Sequence, residues 1–182
     1  MKKWLVLVLL VLFILPSAYA GFGVFGSYWD AKDYDALYGG GIRAAGEIFS
    51  GVGIEARASY LSTDLFGDPD ITIDVIPIEG ILSWTLDVSE SIKPYIGAGI
   101  GYYIKNPDWN ASDAGDEIKA SDCVGYFALG GVNVLLGSVT LFGEAKYNLI
   151  SDDDEFVWRG TDVTETRSLD GFSINAGLKF GF

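Results

Sequence analysis

The stretch Gly171–Phe182, GFSINAGLKFGF, decides the fold because its side chains alternate in character from one end to the other. One series of alternate positions is apolar and ends in two aromatic residues, Phe180 and Phe182, whereas the other series is small or polar. Successive side chains of a β-strand point to opposite faces of the sheet. The stretch therefore predicts a strand with one apolar face and one small, polar face.

Segments with the same alternation recur along the chain, and no amphipathic helix is predicted between them. The long connections 30–37, 62–70, 106–122 and 150–170 alternate with shorter ones, as in an antiparallel meander with long loops at one end and short turns at the other. Eight strands are predicted, over residues 21–29, 38–48, 51–61, 71–86, 94–105, 123–135, 139–149 and 171–182.

The charged residues are also distributed unequally between the long connections and the predicted strands. The four long connections carry eighteen acidic and four basic residues, whereas the predicted strands carry five of each. The acidity is thus concentrated at one end of the meander. Nucleic acid is not expected as a partner, because its phosphates require basic patches.

The first twenty residues have the organisation of a secretory signal peptide. Lys2 and Lys3 precede the apolar run Trp4–Leu15, and Ala18-Tyr19-Ala20 provides a small-residue cleavage site. The apolar run is too short for a membrane-spanning helix, which needs about 20 residues. We expect cleavage after Ala20, so that residues 21–182 form a single barrel domain.

Two kinds of barrel fit the alternation, and they face opposite solvents. A soluble ligand-binding barrel would turn its apolar face inward, whereas a membrane barrel would turn it to lipid. The polar face is rich in glycine and poor in charge, which suits the narrow bore of an eight-stranded barrel better than a water-exposed exterior. Aromatic residues near the strand ends resemble the interfacial girdles of membrane barrels; these are Phe22, Tyr28, Tyr38, Tyr60, Trp84, Tyr102, Tyr147 and Phe182. The sequence therefore favours an all-β, eight-stranded antiparallel up-and-down transmembrane β-barrel.

The signal peptide, the eight alternating strands, the alternating loop lengths and the terminal Leu178-x-Phe180-x-Phe182 together resemble the small outer-membrane barrels of the OmpA/OmpX type. The resemblance implies a monomer in the cell outer membrane, in contact with outer-membrane lipid. It also implies that Phe180 and Phe182 form part of the assembly signal that the barrel-insertion machinery reads.

Catalytic chemistry is not expected, because the chain contains no histidine and so lacks the commonest general base and metal ligand. We predict no catalytic residue, no cofactor and no metal site. The acidic loop residues Asp152, Asp153, Asp154 and Glu155 lack the spacing of a calcium-binding loop, and a solvated surface segment explains them. The single Cys123 cannot form an intramolecular disulfide, and we expect a small buried side chain.

Charged residues on the polar face should lie in the lumen and pair with one another, because an isolated charge in a narrow bore is costly. The paired set could fill and block the bore, which we favour, or could rearrange as a gate that admits ions. The predicted lumen charge network comprises Arg43, Glu47, Glu55, Arg57, Glu79, Glu144, Lys146 and Lys179.

Three functions remain open on the sequence alone. The favoured one is a structural or surface-interaction role, in which four acidic extracellular loops meet a partner that the sequence does not identify. A narrow channel for ions or small apolar solutes is the first alternative. A soluble periplasmic ligand-binding barrel is the second.

Overall fold

The computed structural model describes residues 20–65, 68–109, 117–119, 122–150, 154–158, 161–165 and 168–181. The predicted signal peptide lies almost entirely outside these residues. Eleven strands are present in the described part of the chain: β1 (Ala20–Ala31), β2 (Leu37–Phe49), β3 (Val52–Leu65), β4 (Asp68–Thr85), β5 (Ile92–Trp109), β6 (Glu117–Lys119), β7 (Cys123–Leu136), β8 (Val139–Ile150), β9 (Asp154–Trp158), β10 (Thr161–Glu165) and β11 (Gly171–Phe180).

Eight of the strands close into a barrel in the order β1-β11-β8-β7-β5-β4-β3-β2, with all neighbours antiparallel. The last strand pairs back to the first, from Phe22 opposite Phe180 to Ala31 opposite Gly171. Closure leaves the sheet without a free edge. The predicted eight-stranded antiparallel up-and-down barrel is confirmed.

Short turns join the strands at one end of the barrel. Gly51 and Gly137 have φ values of 77° and 70°, a left-handed conformation that glycine adopts without steric cost and that closes the β2–β3 and β7–β8 turns. In the longer β4–β5 turn, the Ser89 hydroxyl accepts a hydrogen bond from the Ile92 amide at 2.9 Å. This short-turn end lies opposite the end at which β1 is connected to β2, β3 to β4, β5 to β7 and β8 to β11.

The long connections contain regular structure that the sequence analysis did not predict. β6, β9 and β10 form a separate antiparallel sheet in the order β10-β9-β6. In addition, β3 continues to Leu65, β4 begins at Asp68 and β5 continues to Trp109, all beyond the predicted bounds. The prediction of a long connection over 62–70 is therefore wrong, because paired strand residues leave only 66–67 between β3 and β4. These segments are too short or too acidic to show the alternation, and their strands are defined by pairing with a neighbour.

The two faces of the barrel differ sharply in exposure. Outward-facing Phe22, Ile42 and Trp84 expose 60%, 64% and 55% of their surfaces, whereas the charged side chains of Arg57 and Glu144 are buried inside. Apolar residues therefore form the exterior of the wall, and charged residues lie in the lumen. Among the described residues, no helix is long and apolar enough to cross a membrane.

Candidate functional site: the barrel lumen

The half of the lumen nearer the long loops is filled by an apolar cluster. Its members are buried and in mutual contact, with Trp29 and Leu37 paired across β1 and β2 and the Trp29 and Tyr103 rings 5.7 Å apart. We call this set the upper apolar cluster; it contains Trp29, Ala31, Tyr34, Leu37, Leu61, Ile73, Val75, Tyr103, Cys123, Ile150 and Leu169. Cys123 is buried within it, as expected.

Below this cluster, four buried charged side chains form a central ion cluster of Arg43, Glu55, Arg57 and Glu144. The Glu55 carboxylate accepts hydrogen bonds from Arg43 Nη2 and Arg57 Nε. Arg57 also donates to Glu144, with Nη2 2.8 Å from Oε2. Arg43 Nη1 lies 3.7 Å from the same Glu144 oxygen. Each carboxylate thus lies close to two guanidinium groups.

The position of Glu144 makes the ion cluster a bridge across the bore. Glu144 is on β8 and Arg57 is on β3, and three strands separate β3 from β8 in either direction around the barrel. The Glu144 carboxylate further accepts hydrogen bonds from the Tyr95 hydroxyl at 2.7 Å and from Asn175 Nδ2 at 2.9 Å. Groups from opposite walls therefore satisfy one buried carboxylate, as a buried charge requires.

A second ion pair lies beside the upper apolar cluster. Lys146 Nζ donates to Glu79 Oε1, and both side chains are buried. The Lys146 ammonium also lies 4.8 Å from the centre of the Phe127 ring, within the range of a cation–π interaction. The Tyr103 hydroxyl is 3.4 Å from the same Glu79 oxygen, which links this pair to the upper apolar cluster.

Lys179 and Glu47 behave differently from the other predicted lumen residues. Lys179 is buried in the lumen, where its Nζ donates to Asn133 Oδ1 at 2.8 Å. Glu47 is exposed, and its Oε1 accepts a hydrogen bond from the Gly51 amide at 3.1 Å. Glu47 pairs in register with Gly53 and lines the same cavity at the short-turn end of the lumen as Arg43 and Glu55, but it is exposed at the mouth of the bore and is not buried with the ion cluster.

Several buried lumen groups were not singled out from the sequence. Lys105 on β5 is buried, and so are Asn148 and Ser173, whose side chains are joined by a 2.8 Å hydrogen bond. The signal for Lys105 is present, since it lies an even number of residues from the inward-facing Tyr95 and Tyr103. The upper apolar cluster was also missed, because the sequence analysis expected a small or polar interior throughout.

The remaining predicted residues lie on or beyond the barrel wall. Phe180 faces outward on β11, with its ring 5.3 Å from that of Phe22 on β1. Phe182, Asp152 and Asp153 lie outside the described residues, whereas the backbones of Asp154 and Glu155 lie in β9.

The outer surface carries aromatic residues at two levels. Phe22 and Phe180 pair near the short-turn end, and the Tyr28 and Tyr38 rings are 5.2 Å apart nearer the long loops. Tyr28 lies six positions after Phe22 on β1, which corresponds to about 20 Å along a strand. Because strands tilt, the spacing along the barrel axis is smaller, and an apolar band lies between the two levels.

The fold is that of small outer-membrane barrels. The structure of outer membrane protein W of E. coli shares 17% identity and superposes with a TM-score of 0.61, over 90% of this chain and 97% of that chain. Neisserial surface protein A, also at 17% identity, gives a TM-score of 0.58 over 90% and 96% of the two chains. Outer membrane protein AlkL, at 16% identity, gives 0.59 over 90% and 88%.

No protein-family model matches the sequence, and no curated protein matches it. The likeness is therefore one of architecture. It agrees with the resemblance to OmpA/OmpX-type barrels drawn from the strand pattern.

Proposed function

We propose that the protein is a monomeric integral barrel of the cell outer membrane, with a structural or surface-interaction role and a closed lumen. The observation that carries the proposal is the inverted distribution of polarity, with apolar side chains on the exterior and paired charges inside. Water would disfavour such an exterior, because apolar patches of this extent promote association. Lipid does not disfavour an apolar exterior, and the closed barrel leaves no unpaired sheet edge in the hydrocarbon.

The contents of the lumen support a structural role over transport. An upper apolar cluster and, below it, the cross-bore pair Arg57–Glu144 fill successive levels of the bore. A continuous water path would have to displace both. Opening the ion cluster would strand charges in a confined space, which is energetically costly.

The long connections supply the proposed surface role. At the proposed extracellular end they carry eighteen acidic and four basic residues. Such a surface favours cationic partners or bound divalent cations and repels polyanions, with a range set by ionic strength. We propose neither a catalytic site nor a cofactor. Assembly would use the barrel-insertion machinery, with Phe180 and Phe182 in its recognition signal.

Two experiments test this function. Fractionation of expressing cells should recover the protein with outer membranes after an alkaline wash, and recovery in the soluble fraction without detergent would support the periplasmic alternative. The refolded protein should then give no single-channel steps in a planar lipid bilayer. Reproducible conductance steps, absent from a mock refolding mixture, would replace the closed lumen with a channel.

A further inference from the structure

A groove of about 540 Å³ lies on the outer surface of the barrel, at the end opposite the short turns. It begins at the end of β1, two residues beyond Tyr28 of the upper aromatic level, or about 7 Å further along the strand. Aromatic belts of membrane proteins lie at the level of the lipid headgroups, so the groove opens at headgroup depth. Its described lining comprises Asp30, Ala31, Lys32, Tyr147, Asp170, Gly171 and Phe172.

Three outward-facing side chains of this lining lie side by side on neighbouring strands. Asp30 pairs with Phe172 across β1 and β11, and Phe172 pairs with Tyr147 across β11 and β8. Phe172 and Tyr147 expose 46% and 51% of their surfaces, and Asp30 is also exposed. The Cβ atoms of directly opposed residues lie about 4.5–5.5 Å apart. One ligand group can therefore contact the carboxylate and the aromatic rings together.

Asp170 and Lys32 add a second carboxylate and an ammonium group. The Lys32 amide donates to the Asp170 carbonyl oxygen at 2.8 Å, which places the two residues beside each other where β1 and β11 end their pairing. The Ile150 amide donates to Asp170 Oδ1 at 2.5 Å and holds that side chain in place. Within the described part of the chain, the side chains of Asp30 and Lys32 form no ion pair. Their charges are therefore available to a ligand.

The charges of the groove select the chemistry of that ligand. The described lining has two carboxylates and one ammonium group, a net negative charge. Carboxylates accept charge-assisted hydrogen bonds from a primary ammonium group, and the aromatic rings attract a cation. The Lys32 ammonium is a counter-charge for a phosphate. A primary ammonium group, a nearby phosphate and an apolar tail occur together in a phosphoethanolamine lipid.

We propose that this groove binds the headgroup of a phosphoethanolamine lipid. The ammonium group lies between Asp30 and Asp170, and the phosphate lies beside Lys32. The acyl chains follow the apolar wall of the barrel below Phe172 and Tyr147. The proposal rests on the proposed membrane location and adds to it a preference for one class of lipid.

Native mass spectrometry of the refolded barrel, released from non-ionic detergent, tests the site. The barrel is titrated with phosphatidylethanolamine, phosphatidylcholine and phosphatidylglycerol of identical acyl chains. Phosphatidylethanolamine should bind most tightly, and phosphatidylglycerol, which lacks an ammonium group, most weakly. Phosphatidylcholine should be intermediate, because its quaternary ammonium group keeps the attraction of the rings but donates no hydrogen bond. Soluble phosphoethanolamine should compete only at much higher concentration, and competition at equal concentration would overturn the assignment to a lipid.

Two substitutions assign the parts of the headgroup to residues. Asp30→Asn should weaken phosphatidylethanolamine binding by about two- to fivefold, the effect of one exposed ion pair, and should reduce its advantage over phosphatidylcholine. Lys32→Met should weaken the binding of all three lipids alike, because each carries a phosphate. Glu90→Gln removes a carboxylate from the exposed β4–β5 turn at the opposite end and should bind like the wild type.

Equal affinities of the wild-type barrel for the three lipids would overturn the proposal, and so would equal effects of Asp30→Asn and Glu90→Gln. Heat-modifiable mobility on gels verifies the folding of each variant, and the wild-type comparison of lipids decides the question even if a variant does not fold. These outcomes differ from failure of the membrane location, in which the protein would be recovered in the soluble fraction without detergent.

Discussion

Arg57 and Glu144 join opposite walls of the barrel, with Arg57 Nη2 2.8 Å from Glu144 Oε2 and both side chains buried. Because their strands are not neighbours, no backbone hydrogen bond accompanies this contact. The stability of this pair therefore depends on what fills the bore. Substitutions of the two residues distinguish a packed lumen from a hydrated one.

Glu144→Gln should lower the free energy of unfolding by about 3–5 kcal/mol, because it leaves the buried guanidinium groups of Arg43 and Arg57 sharing the single carboxylate of Glu55. The double change Arg57→Met with Glu144→Met should cost much less, since apolar side chains of similar volume can replace a buried pair at little cost. Urea titration of the refolded barrel in lipid vesicles measures both.

Glu90→Gln provides the control for this series, because Glu90 lies exposed in the β4–β5 turn and its change should be nearly neutral. A hydrated bore would screen the charges of the central ion cluster. In that event Glu144→Gln would be as mild as Glu90→Gln, and the closed lumen would be contradicted.

Ile42→Lys should destabilise the barrel in a bilayer, because Ile42 faces outward near the middle of β2 with 64% of its surface exposed. A lysine at the midplane of the lipid face costs about 2–4 kcal/mol. Val88→Lys, in the exposed β4–β5 turn, is the matched control and should be close to neutral. Equal stability of the two variants would argue that water, rather than lipid, surrounds Ile42.

Deletion of Phe182 should reduce the amount of assembled barrel in cells while leaving refolding in detergent nearly intact. Burial of one aromatic side chain contributes at most about 1.5–3 kcal/mol of transfer free energy, whereas the proposed recognition by the insertion machinery would depend strongly on Phe182. Heat-modifiable mobility on gels measures the folded fraction in both settings.

The contrasting change is Phe180→Ala, which removes the ring contact with Phe22 across the β1–β11 closure. This variant should lose stability in vitro as well as assembly in cells. If deletion of Phe182 behaves in the same way, with equal losses in both assays, its role is ordinary folding stability.

Gly99→Ala should destabilise the barrel, because a Cβ atom at this position would lie 2.4 Å from both the Gly80 carbonyl oxygen and the Phe127 ring. Overpacking of this kind typically costs about 1–3 kcal/mol. Gly80→Ala is the matched control, since a Cβ there meets no atom within 4 Å. Melting of the two variants in the same detergent compares them, and equal midpoints would show that the lumen tolerates added volume at Gly99.

The alternation of side chains was enough to predict the number of barrel strands, their antiparallel order and which side chains face outward. It could not predict β6 or β9, since segments of three or five residues gain their strand conformation only through mutual pairing. The inward direction of Arg57 and Glu144 follows from the alternation within their strands, because each lies at a position of the polar series. Their contact depends on the stagger of strands around the closed barrel, which no single strand encodes.

The exposure of Glu47 has a local physical origin. Glu47 keeps the inward direction of Arg43 and stays in register with Gly53, but it lies two residues before the end of β2, at the mouth of the bore. The upper apolar cluster has a different origin, because Leu61 and Val75 share the polar face but occupy the end of the bore where apolar packing replaces charge. The average composition of the inward-facing residues does not show that this face changes from charged to apolar along the bore.

The pairing of β6 with β9 joins two connections that are far apart in sequence, one following β5 and the other following β8. A binder raised against this region of the folded protein would meet a discontinuous epitope, because residues 117–119 and 154–158 lie side by side in one sheet. Linear peptides copied from either connection would lack that surface. Selection of antibodies or nanobodies against the protein therefore calls for the intact, lipid-embedded barrel as antigen.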